Sequence, residues 1–321
     1  MGAYILRRII QTIPLLLGIS IITFVVINAT GSPLANLALD PRVRPEDIAN
    51  LERSLGLDKP VHERYFIWLG NVVQGDLGTS LANHLPVLDR IMAVLPNTLK
   101  LNIAALVLAL MISIPIGVYA AVRRNSLFDR MANLLAVAGW AIPTVWLGLM
   151  LILLFAVKFR EWGLPYLPVG GQSDLRSGGG FWDQVEHMIL PTIALAIPSM
   201  AGWIVYIRAS MLEVIQQDYM RTAKAKGLTE RSVNMRHGFR NALLPLITLV
   251  GLEIPAIFGG SLVIENVFAW NGMGRLTIDA VNEKDYTVVM GTTIFFSVLV
   301  VFGNLIADVL YSIADPRIRR D

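Results

Sequence analysis

Apolar positions along the 321-residue chain gather into six long windows, Ile9–Ala29, Leu101–Ala121, Met131–Val157, His187–Ile207, Leu243–Ile264 and Val288–Ile313. Each is roughly 20 residues or more, long enough to cross a bilayer as an α-helix. Pro14, Pro115, Pro143, Pro191, Pro198, Pro245 and Pro255 fall inside them. In a membrane bundle, neighbouring helices and local kinks satisfy the carbonyls that proline frees. Between the first two windows the pattern turns amphipathic. "RPEDIANLERSLG" places Leu51 and Leu55 at helical spacing with charge between them, which predicts a surface helix. "KPVHERYFIWLGNVV" predicts a second, with Tyr65, Trp68 and Leu69 on one side, packed on a neighbour or anchored at the headgroups. "GDLGTS" reads as a turn, and "AWNGMGRLTIDAV" as a turn followed by a short helix dipping toward the membrane. The expected organisation is a first span over 1–29, an insertion over 30–98, a five-helix core over 99–315 with a structured loop over 208–242, and a tail over 316–321.

Composition agrees. The chain is 55% hydrophobic and 16% charged, against about a quarter charged for a soluble domain, and its mean hydropathy is +0.58. It has no cysteine, which excludes disulfides, cysteine-ligated zinc and thiol catalysis. Arg7 and Arg8 precede the first window as they would in a signal peptide. That window exceeds the roughly 7–15 residues of a signal core, so it reads as a retained helix.

Charge orients the spans. Lys and Arg concentrate at the N-terminus (Arg7, Arg8), in the second-to-third loop (Arg123, Arg124, Arg130), in the fourth-to-fifth loop (Arg208, Arg221, Lys224, Lys226, Arg231, Arg236, Arg240) and in the tail (Arg317, Arg319, Arg320). With six spans all four fall on one side. The opposite side is richer in acid, including Asp40, Glu46, Asp76, Glu161, Asp183, Glu265 and Asp285. The positive-inside rule places both termini in the cytoplasm. The pI of 9.2 follows from these loops and gives no reason to invoke nucleic acid.

One basic segment has internal structure. In "DYMRTAKAKGL", Asp218–Leu228, apolar residues continue the helical spacing of the fourth window through Met211, Leu212, Val214, Ile215, Tyr219 and Met220. Gly227 suits a left-handed helix stop, with Lys224 and Lys226 at the negative end of the helix dipole. Thr229 then caps a second short helix to about Arg236. Two short helices meeting at a glycine make a compact knob on the cytoplasmic side.

This segment, followed by "RHGFRNALLPLITLVGL", resembles the coupling loop of ABC-type importer permeases, and specifically the first-subunit type of the dipeptide/oligopeptide/nickel permeases. Ala223, Gly227, Leu244 and Pro245 match the general pattern. Arg221 and Thr222 stand where Glu and Ala are usual, and the gap from Gly227 to Pro245 is longer than in sugar-type permeases; both departures look like the peptide-permease variant. "YILRRIIQTIPLLLGISIITF", "LGLDKPVHERYFIWLGNVVQGDLGTSL", "SMLEVIQQDY", "ENVFAWNGMGRLTIDAV" and "DPRIRR" carry the likeness along nearly the whole chain. The resemblance implies an all-α integral membrane protein with the type I importer permease fold: six transmembrane helices, an extracytoplasmic insertion after the first and a cytoplasmic coupling-helix loop between the fourth and fifth. It also implies a bacterial or archaeal cytoplasmic membrane, a second homologous permease subunit, two ATPase subunits and an extracytoplasmic peptide-binding protein. Tyr219, Arg221, Thr222, Ala223, Lys224, Ala225, Lys226, Gly227 and Leu228 would couple to the ATPases, which would carry the ATP and Mg; this chain would bind no cofactor and catalyse nothing.

The remaining motifs are consistent with a subunit that has no motor of its own. There is no G-x-x-x-x-G-K-[S/T] loop, and "SGGGF" near Gly178 lacks the lysine and reads as a flexible loop. His62, His84, His187 and His237 are scattered, which argues against a histidine metal site. Within the windows the conspicuous polar group is Glu253, between Gly251 and Pro255. A carboxyl at that depth faces a cavity or a partner. Two readings stay open: a substrate-path residue meeting a peptide ammonium, and a structural residue between the two permeases. Asn304 and Asp308 share one face of the last window and read as a structural pair. Lys100 and Asn102 mark the outer end of the second. Gly139, Gly148, Gly251, Gly259 and Gly260 allow close helix packing. The same machinery carrying nickel chelates, glutathione or another small solute is the alternative. An ion-coupled secondary transporter is a further alternative; it is expected to show inverted repeats and ionisable residues in several spans, where this chain has one central carboxyl and no convincing repeat.

Overall fold

The computed structural model describes residues 2–31, 34, 44–54, 56–174, 179–259 and 261–314, with the backbone alone at 2–9, 47, 48, 51, 54, 231, 243–245, 247, 248, 252, 259 and 308–314. Asp40, Leu55, Gly178, Gly260, Arg317, Arg319 and Arg320 lie outside the described residues. Among these residues the chain is helical, with a lone antiparallel bridge between Thr79 and Pro86. The helices are α1 Gly2–Ala29, α2 Pro45–Ser54, α3 Val61–Val73, α4 Val87–Val122, α5 Leu127–Ala141, α6 Thr144–Glu161, α7 Phe181–Ile215 and α8 Asp218–Ala225. They continue with α9, then α10 Leu262–Val267, α11 Met273–Asn282 and α12 Tyr286–Ala314. α9 is an unbroken run of Glu230–Ser232, a π-helical stretch Val233–Phe239, and Arg240–Gly259.

Four helices are long and apolar enough to cross a membrane: α1, α4, α7 and α12. α4 and α7 have 36 and 35 residues. At 1.5 Å per residue each exceeds 50 Å or so, well beyond the ~30 Å hydrocarbon core. Lys100 and Asn102 sit inside α4, which begins 13 residues before Lys100 and so extends beyond the apolar window on that side. The third window is two helices bent by 102°, α5 and α6. Its break is local. Ile142 is extended (ψ 125°) and Pro143 heads α6 (ψ 128°), the conformations expected at and before a proline that starts a helix. The fifth window also divides. α9 stops at Gly259, and Ser261 starts α10 by accepting from the Ile264 N–H, so Ile264 belongs to a separate short helix. The strongly apolar part of α9 is Leu249–Phe258.

Two compact units make up the chain. The first holds residues 1–96 and 276–301. Here α3 packs on α1. The Phe24 ring lies 5.4 Å from Tyr65 and 5.9 Å from Trp68, and the Tyr65 hydroxyl meets Ser20 Oγ at 2.8 Å. Of the two expectations for these aromatics, packing on a neighbour is the one observed. Asp285 organises the other side. It is buried, caps α12 by accepting from the Val288 N–H (3.3 Å), and accepts from Ser80 Oγ and from the Leu81 N–H (3.1 Å). Arg90 approaches it at 3.5 Å. The "GDLGTS" turn is thereby tied to the start of the last span. Gly78 within it has φ +81°, and a Cβ there would meet Thr287 Cγ2 at 2.9 Å.

The second unit holds residues 97–275 and 302–321. Its largest core cluster joins α4, α7 and α9 through Ala105, Ala109, Ala196, Trp203, Ile207, Met211 and Leu246. Glycines allow close approach elsewhere in the unit: a Cβ on Gly139 of α5 would lie 3.3 Å from Ile197 of α7, one on Gly148 of α6 3.2 Å from Phe268, and one on Gly251 of α9 3.8 Å from Ala307 of α12. Gly303, which the sequence did not single out, lies where a Cβ would strike Pro255 at 2.9 Å. The start of α5 is clamped to the end of α7 by Arg208, whose guanidinium grips Asp129 with Nε on Oδ1 and Nη2 on Oδ2 (2.8 Å). The Asn125 N–H (2.9 Å) and Asn133 Nδ2 (2.9 Å) complete the carboxylate's partners.

Candidate functional site

The loop between α7 and α9 builds the knob. α7 runs to Ile215, the chain turns at Gln216 and Gln217, and α8 begins at Asp218. α8 buries one face. Met220 and Ala223 pack against Val233, with Val214 and Ile215 beside them. A Cβ on Gly238 would come within 3.2 Å of the Met220 methyl, so the π-helical stretch lies close under α8. Asn241 ties in from α9 by donating to Tyr219 Oη (3.3 Å) and to the His237 carbonyl (2.8 Å). α8 ends at Gly227, whose φ is +76°. Thr229 then accepts from the Ser232 N–H and opens α9. The second helix of the knob does not end near Arg236. It continues into Arg240–Gly259 as the first part of α9, because the π-helical stretch keeps the backbone hydrogen bonding intact into Arg240.

Burial divides the nine sequence-selected loop residues into two groups. Tyr219, Arg221, Thr222, Lys224, Ala225, Lys226, Gly227 and Leu228 are exposed. Ala223 is buried, so its small side chain serves the packing of α8 on Val233. A Cβ on Gly227 would meet nothing within 4 Å, so within this chain the glycine is required by its dihedral angle and not by crowding. Thr222 Oγ1 donates back to the Asp218 carbonyl (3.0 Å), and Arg221 approaches Asp218 at 3.8 Å in full solvent, a contact of little energetic weight. What α8 presents is a basic surface flanked by two exposed apolar groups, Tyr219 and Leu228.

Glu253 sits elsewhere in the second unit, half-buried on α9. It lines a cavity of about 240 Å³ together with Asn102 of α4, Ser199 and Trp203 of α7, and Ser261 ahead of α10. Among the described residues nothing hydrogen-bonds to its carboxylate, while the Asn102 amide is already donating to the Thr98 carbonyl (2.9 Å). Three helices and the residue that caps a fourth thus bring one acid and several neutral polar groups around a space large enough for a small polar group. Asn304 is exposed on α12, and the side chain of its expected partner Asp308 is outside the described residues. No three metal-ligating side chains gather among the described residues.

Glu265, in the sequence only one of the loop acids, is a further candidate. It is fully buried and accepts from Thr98 Oγ1 (2.9 Å) and from the Gly274 (2.6 Å) and Arg275 (3.3 Å) N–H groups. Burial pushes its carboxyl above the usual range, against the opposing pull of these donors. Cβ atoms on Gly272 or Gly274 would lie 2.4 Å and 2.9 Å from its Oε2. The readable signal was the pair of glycines seven and nine residues downstream.

The family model described as "Binding-protein-dependent transport system inner membrane component" matches residues 113–320, and its N-terminal companion, "Binding-prot-dependent transport system membrane comp, N-term", matches residues 1–102. The chain is 46% identical over 319 residues to the oligopeptide transport system permease protein AppB of Bacillus subtilis (strain 168), with 99% of each chain covered. It is 38% identical over 338 residues to the dipeptide transport system permease protein DppB of Escherichia coli (strain K12), with 98% of each covered. It is 36% identical over 316 residues to the glutathione transport system permease protein GsiC of Escherichia coli O6:H1, again with 98% of each covered.

Proposed function

Since the chain belongs to the binding-protein-dependent transport system inner membrane component family, we propose that it is one of two permease subunits of an ATP-driven importer of di- and oligopeptides. It would pair with a second, similar permease, receive cargo from an external binding protein, and take work from two ATPase subunits that hold the ATP and Mg. α9 completes a set of six spans with α1, α4, the α5–α6 pair, α7 and α12, and both termini are cytoplasmic. The observation that carries this reading is the knob. An exposed basic helix stands between the ends of two long helices, with its buried face packed against α9. Force applied to α8 therefore reaches α7 and α9 without crossing a flexible linker. Its cations and the flanking Tyr219 and Leu228 suit an acidic groove with an apolar floor. Purifying the tagged chain from its own membrane tests this. Two ATPase chains per permease pair should accompany it, and their absence at stoichiometric level counts against the proposal.

The side assignment has its own test. The chain has no cysteine, so Ser232→Cys is a unique label site. An impermeant thiol reagent should label it in inside-out vesicles and leave it untouched in intact spheroplasts. Labelling from outside reverses the topology.

Cargo is assigned to peptides on the strength of the AppB and DppB relationships, with glutathione, the cargo named for GsiC, as the alternative. Glu253 is the residue proposed to meet the cargo, through the peptide ammonium. A charge-assisted hydrogen bond contributes about 1.5–3 kcal/mol, so Glu253→Gln should reduce uptake of free-amine peptides by roughly tenfold or more relative to N-acetylated ones. Equal loss for both, or loss for neither, assigns Glu253 a structural role.

A further inference from the structure

The first unit contains a larger cavity, of about 690 Å³, that transport as described does not use. Its apolar wall is Phe24 and Ile27 from the end of α1 and Met290 from the start of α12. Its polar wall carries three cationic side chains, Arg53, Lys59 and Arg64, against one carboxylate, Glu52. Arg53 is occupied, donating to Asn50 Oδ1 (2.7 Å) and the Ala49 carbonyl (3.2 Å). Lys59 and the half-buried guanidinium of Arg64 have no side-chain partner among the described residues. Burial pushes Arg64 below its ordinary value, though a guanidinium stays charged. A cation that has lost part of its water and gained no counterion is costly. Trp68 is also in the lining, through its ring; its Nε1 is sealed from the cavity and has no acceptor among the described residues.

The place of the cavity narrows the class of acceptor. It opens where α1 ends and α12 begins, at the ends of two membrane-crossing helices, which is headgroup depth. Trp68 and Tyr286 in its lining are the residue types that concentrate at that depth. A soluble anion would leave the apolar wall unused.

We propose that this cavity holds the headgroup of an anionic phospholipid, with Arg64 and Lys59 on the phosphate and the upper acyl carbons along Ile27 and Met290. The lipid supplies the counterion that the described residues do not, and it braces α3 on α1. Such a site would make the packing of the insertion depend on the charge of the surrounding membrane.

Native mass spectrometry of the intact importer tests this, after reconstitution in nanodiscs of phosphatidylcholine with or without phosphatidylglycerol. The wild type should retain phosphatidylglycerol in preference to phosphatidylcholine. Losing one charge-assisted contact predicts roughly tenfold less retention for Arg64→Gln and for Lys59→Gln. Arg160→Gln, at a guanidinium that lies over Tyr166, should retain it as the wild type does. Equal retention of the two lipids, or undiminished retention by Arg64→Gln, overturns the proposal. Glycerol 3-phosphate binding as tightly as the lipid would replace the membrane source with a soluble one. Hydrogen exchange on the wild type covers the case of a variant that fails to insert. Val61–Val73 should exchange more slowly in phosphatidylglycerol discs; no difference, or slowing caused only by the binding protein, also overturns it.

Discussion

Gly227→Val is expected to abolish ATP-dependent uptake while the chain still inserts and accumulates in the membrane. The residue has φ +76°, a region that costs an L-amino acid roughly 1–2 kcal/mol and a β-branched one more. Open space around the position means that the substitution breaks no packing within the chain. The damage is to direction: relieving the dihedral strain re-aims α8 relative to α9 and removes the coupling surface from its partner. Gly227→Asn separates the two causes, since asparagine tolerates the left-handed region. It should retain most of the uptake if the dihedral angle alone matters, and fail like valine if an ATPase groove closes on the bare glycine. Uptake assayed in membranes with matched permease content distinguishes these outcomes. Normal uptake by Gly227→Val removes the loop from the coupling role.

Asp129→Ala is expected to cause the largest loss of stability among single substitutions in the second unit. Its side chain is 3% exposed and that of Arg208 is 23% exposed. Removing one member of a buried pair costs about 3–5 kcal/mol, because the other charge is left without its partner. Partial exposure of Arg208 puts the expected loss toward the lower end. The Asn125 N–H and Asn133 amide lose their acceptor as well. Asp129→Asn provides an internal check, since it keeps the shape of the side chain and removes its charge. Its thermal midpoint should fall nearly as far as that of Asp129→Ala; a midpoint close to wild type would mean that the carboxylate's shape, and not its charge, holds α5 to α7.

Legibility in the sequence followed the range of the interactions. Apolar window length is a local property, and every window lies largely in helix, the third broken at Ile142 and Pro143 and the fifth after Gly259. The amphipathic pattern likewise located α2 and α3, and the glycine and threonine signals located the two sides of the knob. Helix ends were harder. Pro14 lies inside α1, and Pro191 and Pro198 inside α7, yet Pro143 turns the chain through a sharp bend. Proline alone does not distinguish these cases; the extended conformation at Ile142 does, and it depends on what the neighbouring helices accommodate. The continuation of the knob into the fifth span was hidden because a π-helical stretch has no signature of its own in residue type. Least legible were the buried carboxylates. Asp129 meets Arg208 across 79 residues, Glu265 meets Thr98 across 167, and Asp285 meets Ser80 across 205. In the sequence each is only an acid in a loop. Ala223 gives the converse case. Its place in a recognisable motif suggested a contact surface, but burial against Val233 makes it a packing residue.

One of these clamps has a mechanical consequence. The Asp129–Arg208 pair joins α5 to α7, and α7 is followed, after the turn at Gln216 and Gln217, by α8. α8 in turn packs on α9 through Val233. A displacement of α8 is therefore expected to move α5, α7 and α9 together.

The most direct test of the account is the energy source for uptake. Proteoliposomes containing this chain, its second permease and the two ATPases, with binding protein outside, are loaded internally with ATP, with a non-hydrolysable analogue, or with no nucleotide under an imposed proton or sodium gradient. The account predicts accumulation of a labelled dipeptide only with hydrolysable ATP and binding protein together. Accumulation driven by an ion gradient without nucleotide would contradict it.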